Sequence, residues 1–137
     1  TPARDKDIVI VNANAKATEA SIATGLGALG VKKAGGDVVL IDLTRRGQCT
    51  HYLYGYFGKF FNGRLVGSMA TSQPEVRRYL CWMPHPDLAS RAWFGEVDKQ
   101  VFVDTWAQAL ELLRASYGEY ASVSVIPDGT LCYYQNG

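Results

Sequence analysis

The fold is decided by the stretch Asp7-Ile8-Val9-Ile10-Val11-Asn12. An unbroken run of β-branched residues is typical of a strand that is buried on both faces, as strands of a parallel sheet are. Three further apolar runs lie at residues 37–43, 79–83 and 122–126. We therefore predict that all four runs are strands of one parallel sheet.

Helical patterns separate these runs. Residues 18–31 predict a helix with Thr18 as its N-cap, and residues 87–94 predict a short helix. Thr105 and Gln108 have capping-box spacing ahead of apolar residues at helical spacing, which predicts another helix, and a brief extended segment is predicted at 100–103. The alternation indicates an α/β fold, a three-layer sandwich with a short, mainly parallel sheet.

The composition indicates one domain over residues 1–137, because a chain of 137 residues with 47% hydrophobic residues can bury a full core. The net charge of +1 without a charged block argues against nucleic acid as a partner, and no apolar run is long enough for a membrane span. The three cysteines are widely spaced and odd in number, which is typical of a reducing cytoplasm. No signal peptide is visible, but a start at Thr1 without Met leaves room for an upstream segment.

The glycines at residues 25–30 match the pattern G-x-G-x-x-G. Dinucleotide binding requires such glycines directly after the first strand, where a helix begins. Here they lie near the C-terminal end of the predicted helix. We predict that they pack this helix against the sheet and bind no nucleotide.

Metal binding by this chain alone is not predicted. Cys49 and His51 offer two ligands, and His85 lies apart from them between two prolines. A zinc site usually takes three or four protein ligands in paired spacing.

Polar side chains follow the first two predicted strands. Ligands of open α/β sheets bind at the carboxyl ends of the strands, so these residues are candidates for a site. Ordinary solvated loops would carry the same residues; the sequence leaves both interpretations open and, without other evidence, favours the solvated loops. The residues are Asn12, Asn14 and Lys16 after the first strand, and Asp42, Thr44, Arg45 and Arg46 after the second.

An aromatic segment at residues 52–61 carries six Tyr and Phe side chains. One helix face cannot bury so many rings, so we expect part of the segment to contact another domain or subunit.

The order of these segments resembles the C-terminal domain of the nickel-dependent lactate racemase family. The resemblance is carried by the strands at 7–11 and 38–41, the turn at 32–36, Arg45 and Gly47 after the second strand, and the closing stretch 125–129. It implies a longer, two-domain protein in which this chain is the C-terminal domain. In that family, the N-terminal domain carries most of the residues that hold a nickel-pincer nucleotide.

The resemblance further implies an isomerase, racemase-like or epimerase-like, that moves a hydride off and back onto the carbon of a 2-hydroxy acid. The C-terminal domain closes over the cleft. The implied cofactor is the nickel-pincer nucleotide in the full-length protein, with none expected for this chain alone. The implied partners are the N-terminal domain of the same protein and, in a homo-oligomer, a second copy.

Matching the family's site onto this sequence gives candidate residues that face substrate or cofactor. The family's acidic residue falls on Glu19, and its Gln and Lys on the following helix fall on Thr24 and Gly27. Neither Thr nor Gly can replace the lost amide and charge, so we expect the isolated domain to be inactive. The full candidate set is Asn12, Asn14, Lys16, Glu19, Thr24 and Arg45. The alternative hypothesis is a non-catalytic docking or oligomerisation domain that uses the aromatic segment 52–61.

Overall fold

The computed structural model describes residues 3–45 and 73–134. Five strands in these ranges form one sheet in the order β4-β3-β2-β1-β5, and every neighbouring pair is parallel. This confirms the predicted α/β fold, and the segment predicted only as extended is an edge strand of the sheet. The strands are β1 (Ile8–Asn12), β2 (Gly36–Ile41), β3 (Val76–Trp82), β4 (Gln100–Val103) and β5 (Val123–Ile126).

Two α-helices, α1 (Ala20–Ala28) and α2 (Trp106–Tyr117), pack on opposite faces of the sheet. Successive side chains of a strand point to opposite faces, so β1 contributes to both. Val9 and Val11 belong to the core cluster that contains Ala23 of α1. Ile8 belongs to the cluster that contains Leu113 of α2. The result is a helix layer, a sheet and a second helix layer.

The predicted start of the first helix is wrong. Residues Asn14–Glu19 form a 3-10 segment, and Glu19, not Thr18, holds the N-cap position of α1, without a capping side-chain hydrogen bond. Lys16 lies outside the helical region with φ −145° and ψ 76°, which interrupts the helical path. The α-helix therefore begins only after the chain has left the edge of the sheet.

Of the two later helices, one is confirmed. Thr105 and Gln108 form the predicted capping box at the start of α2. Within residues 87–94 only Arg91–Trp93 forms a helical turn, a 3-10 one. Asp87 accepts hydrogen bonds from Ala89 N at 3.0 Å and Ser90 Oγ at 2.9 Å, so this side chain stabilises a turn instead of a helix.

The glycines of the G-x-G-x-x-G pattern lie where the sequence predicts them, in and just after the C-terminal half of α1. A Cβ on Gly27 would come within 2.8 Å of Val38 Cγ1 and 3.2 Å of Val11 Cγ1. The absent side chain therefore allows α1 to lie close against β1 and β2.

Several predictions concern residues outside the described ranges. They are the aromatic segment 52–61, the pair Cys49 and His51, and Arg46 and Gly47. Within residues 3–45 and 73–134, no helix is long and apolar enough to cross a membrane.

Candidate functional site

The carboxyl ends of β1 and β5 lie side by side at the point where the strand order reverses. β1 leads by way of α1 to β2 on one side, whereas β5 arrives on the other side of β1. Gly129 N donates a hydrogen bond to Asn12 O at 2.8 Å, which joins the two strand exits. Ligands of open α/β sheets bind at such a reversal point.

Gly129 is held tightly at this junction. A Cβ there would lie 2.8 Å from Ala23 Cβ and 3.3 Å from Val11 Cβ. Because the chain has no side chain at this position, the exit of β5 packs directly on α1 and β1. The polar residues on either side of Gly129 consequently stay close to the exit of β1.

The loop after β1 is fixed by its two asparagines. Asn12 Oδ1 accepts a hydrogen bond from Asn14 N at 2.9 Å, and Asn14 Oδ1 accepts one from Leu43 N at 2.6 Å. A backbone N–H can pair only with the amide oxygen, so both side-chain orientations are determined. Among the described residues neither amide nitrogen has a protein acceptor, which leaves two oriented NH₂ donors at the edge of the sheet.

Lys16 adds a charged donor beside these amides. Its Nζ lies 3.6 Å from Glu19 Oε2, and its side chain is 47% exposed. On the β5 side, the hydroxyl and backbone N–H of Thr130 lower the pKa of Asp128, and the positive charge of Lys16 contributes to the same shift. Lys16 is thus ion-paired with Glu19, and its positive charge also acts across the junction on Asp128.

The exits of β2 and β5 share one turn geometry. Asp42 Oδ1 accepts from Thr44 N at 3.0 Å and Thr44 Oγ1 at 2.7 Å, while Asp128 Oδ1 accepts from Thr130 N at 2.9 Å and Thr130 Oγ1 at 2.7 Å. Each aspartate therefore stiffens its own turn. Arg45 is exposed next to the first of these turns.

The structure brings five of the six candidates to this edge and not the sixth. Asn12 is the last residue of β1, Asn14, Lys16 and Glu19 follow it, and Arg45 follows β2. Thr24 lies in α1, is 3% exposed, and its hydroxyl donates to Ser21 O at 2.9 Å. Gly27 packs one turn further along, against β1 and β2.

Sequence reasoning missed Asp128 and Thr130 as site residues. Residues 127–129 have the sequence Pro-Asp-Gly, which indicates a turn that ends a strand. Their place across the junction from Lys16 depends on β5 being the neighbour of β1, and this strand order is not encoded in any local pattern. The spacing Asp-x-Thr, present at both 42–44 and 128–130, is the signal that would have pointed to them.

The chemistry available at this edge is binding through charge and hydrogen bonds. Two amide NH₂ groups and one ammonium can donate to an anionic oxygen, and the carboxylates of Glu19 and Asp128 can accept from a hydroxyl. No group of three or more His, Cys, Asp or Glu side chains able to hold a metal ion occurs within the described ranges. Burial raises the pKa of the Cys81 thiol to about 12, which argues against a nucleophilic role for it.

The described residues form a parallel α/β domain. Its polar candidate site lies at the carboxyl ends of β1 and β5, where the strand order reverses. No protein-family model and no curated protein matches the chain. Its fold is similar to the solved structure of the lactate racemase apoprotein from Thermoanaerobacterium thermosaccharolyticum, with a TM-score of 0.58 and 14% sequence identity. The match covers 97% of this chain and 36% of that chain, so this chain spans little more than a third of the other protein's length. At this identity the likeness shows the fold.

Proposed function

We propose that this chain is the C-terminal domain of a lactate-racemase-like protein and forms one wall of a site for a 2-hydroxy acid. The observation that carries the proposal is the set of three oriented donors, Asn12, Asn14 and Lys16, at the strand-order reversal. The fold similarity to a lactate racemase over 97% of the chain supports it. The sequence resemblance, which rests on the order of short segments, points the same way.

The proposed role of the three donors is to bind the substrate carboxylate. The Lys16 ammonium supplies charge, and the amide groups of Asn12 and Asn14 supply direction, because their oxygens are already held by backbone N–H groups. Hydrogen bonds to a charged acceptor contribute about 1.5–3 kcal/mol each when they are shielded from water. A domain that closes over this edge would provide that shielding.

The carboxylates of Glu19 and Asp128 offer acceptors to a substrate hydroxyl. A 2-hydroxy acid carries both groups on adjacent carbons, a carboxylate that needs donors and a hydroxyl that needs an acceptor. The edge presents both kinds of partner close together. This match is the chemical reason for preferring a hydroxy acid over a simple carboxylate.

The described residues do not fit the metal-holding part of a nickel-pincer site. At this edge they supply amides, an ammonium group, hydroxyls and carboxylates, whereas soft thiolates and imidazoles are the more usual ligands of such metals. The role proposed for this chain therefore includes no reaction step at the cofactor. In the proposed protein the companion N-terminal domain holds it, and this chain contributes substrate contacts.

The proposed activity departs from the lactate racemases at α1. Thr24 and Gly27, which stand where the family has a Gln and a Lys, are buried and packed in this structure. Substrate contacts from the helix are thereby replaced by contacts from the loop before it. We infer that the native substrate is a 2-hydroxy acid other than lactate or is held in a different orientation.

The test is a titration of the ¹⁵N-labelled chain with a series of 2-hydroxy acids that includes L-lactate, followed by NMR, and at least one of them should bind. We expect the side-chain NH₂ signals of Asn12 and Asn14 to shift in a saturable manner, and we expect Lys16→Ala to weaken this binding at least threefold. Lys33→Ala is the matched control, because Lys33 is also an exposed lysine but lies between α1 and β2, at the opposite edge of the sheet. Shifts that are absent, or equal in both variants, would contradict the assignment of Lys16.

A further inference from the structure

A β-bulge at the start of β3 places two consecutive arginines on one face of the sheet. The partner of Gly36 in the pairing of β2 with β3 is Val76, and the partner of the next residue, Asp37, is Arg78. Arg77 is therefore an extra residue in β3. Successive residues of a regular strand point to opposite faces, and a bulge is the local change that can direct two of them to the same face.

The two guanidinium groups share one buried carboxylate. Arg77 Nε donates to Asp37 Oδ1 at 3.2 Å, and Arg78 Nη2 donates to Asp37 Oδ2. Both groups also contact α2, because Arg77 Cζ lies 4.8 Å from the centre of the Tyr117 ring and Arg78 Nη2 donates to Ser116 Oγ at 3.2 Å. Asp37 is fully buried, and its single charge leaves the arginine pair with one positive charge in excess.

Arg77 has hydrogen-bonding capacity beyond this ion pair. Its bond to Asp37 uses Nε alone, and in the described part of the chain its Nη groups have no carboxylate or carbonyl acceptor. The side chain is 51% exposed. A guanidinium group that is anchored at one edge and open at the other can bind an oxyanion through two parallel hydrogen bonds.

The arginines line a pocket at the amino ends of β3 and β4. Its volume of 390 Å³ lies within the range of roughly 300–1,000 Å³ that is typical of small-molecule sites. Asp98 also lines it, but this carboxylate is exposed, so water and salt screen its charge. The remaining side chains of the lining are Lys99, Val101 and Ser116.

The third cation of the pocket, Lys99, is fixed by acceptors of its own. Its Nζ donates to Glu96 Oε1 at 2.8 Å and to Gln73 O at 3.3 Å. Glu96 balances the charge of Lys99, but neither Glu96 nor Asp37 belongs to the lining of the pocket. These carboxylates therefore hold the cations in place from outside the pocket, and the excess charge inside it is that of the arginine pair.

We propose that this pocket binds a phosphate group. A phosphate group presents strong acceptor oxygens in a tetrahedral arrangement, and the pocket offers donors from β3, from the turn before β4 and from α2. A planar carboxylate would engage only one guanidinium group. The pocket lies at the opposite edge of the sheet from the candidate hydroxy-acid site, so the proposal does not rest on the proposed function.

The test is a titration of the ¹⁵N-labelled chain with inorganic phosphate, glycerol phosphate and acetate at constant ionic strength. NMR follows the side-chain Nε–H signals of Arg77 and Arg78. We expect both phosphate compounds to shift these signals in a saturable manner and acetate to do so only weakly. Tighter binding of glycerol phosphate would identify a phosphate ester as the ligand, and tighter binding of inorganic phosphate would identify the free ion.

Arg77→Gln should weaken phosphate binding by about tenfold, because charge-assisted hydrogen bonds are lost. Arg78 still pairs with Asp37 in this variant, so the buried carboxylate keeps a partner. Arg114→Gln is the matched control, since Arg114 is an exposed arginine of α2 that does not line this pocket, and it should bind phosphate as the wild type does.

Shifts that rise linearly with phosphate in the wild-type chain would overturn the proposal, whatever the variants do. Saturation by acetate at the same concentrations as phosphate would overturn it too, and so would an equal loss of affinity in Arg77→Gln and Arg114→Gln. Because these titrations contain no hydroxy acid, their outcome is separate from that of the test of Lys16.

Discussion

The carboxylate of Asp7 connects three segments of the chain at the amino ends of the strands. It accepts hydrogen bonds from Ser122 Oγ, from Ser122 N at 2.8 Å and from Lys32 Nζ at 2.9 Å. The two bonds from Ser122 and then the contact with Lys32 hold the pKa of Asp7 well below its usual range. These contacts tie the loop before β1 to the start of β5 and to the turn after α1.

We predict a pH-dependent loss of stability in Asp7→Asn. A carboxylate whose pKa is lower in the folded chain stabilises that chain above the pKa of the unfolded state, and this contribution fades as the pH falls toward the folded value. The variant should lose about 1–2 kcal/mol of unfolding free energy at pH 7, and the difference should shrink below about pH 4. Urea unfolding at pH 7 and pH 3 measures it.

Asp98→Asn serves as the control for this measurement, because Asp98 is an exposed carboxylate. It should change stability little at either pH. An Asp7→Asn deficit of the same size at both pH values would show that the charge of Asp7 is not what stabilises the fold.

The contacts of single residues explain why the sequence predicted only part of the candidate site. Asn12, Asn14 and Lys16 were identified because they directly follow a recognisable strand. Asn14 is fixed by Leu43 N, which lies 29 positions away along the chain, so its orientation could not be read from its neighbours. Asp128 was missed for the same reason, because Lys16, whose charge acts on it, belongs to a distant segment.

Among the elements, α1 depends on close approach to the sheet more than on helix propensity. Gly25 and Gly27 both cost helix stability relative to Ala, by about 1 kcal/mol each. A Cβ on Gly25 would have no heavy atom within 4 Å, whereas a Cβ on Gly27 would meet Val38 Cγ1 at 2.8 Å. The two glycines therefore have opposite roles within one helix.

We predict that Gly25→Ala stabilises the chain by up to about 1 kcal/mol and that Gly27→Ala destabilises it. In the second variant, overpacking of about 1–3 kcal/mol outweighs the gain in helix propensity. Thermal unfolding of the two variants beside the wild type gives the comparison. Equal stabilisation in both variants would mean that α1 can move away from β2 at little cost. That result would contradict the claim that Gly27 is needed for close packing.

The sequence predicts some elements better than others. The difference depends on whether the contacts that form an element join residues that are near or distant along the chain. The runs at 7–12 and 37–43 were recognisable because strands buried on both faces need apolar residues at every position. The start of α2 was recognisable because a capping box is local. The start of α1 was not, because a 3-10 segment precedes the helix and the N-cap is Glu19 instead of Thr18. That segment begins at Asn14, whose side chain is held by Leu43 N at the exit of another strand.

At the scale of the whole molecule, the sheet order places the candidate site and the exposed valines of the described residues on neighbouring strands. β1 and β5 carry the candidate site at their carboxyl ends and the exposed Val123 and Val125 along one side.

The most direct test of the central claim is interconversion of D- and L-2-hydroxy acids by the full-length protein supplied with the nickel-pincer nucleotide. We predict no turnover by the 137-residue chain alone, because one wall of a site cannot position both hydride donor and acceptor. We predict turnover by the full-length protein that falls at least tenfold in Lys16→Ala and is little changed in Lys33→Ala. Turnover by the isolated chain, or full activity in Lys16→Ala, would contradict the account.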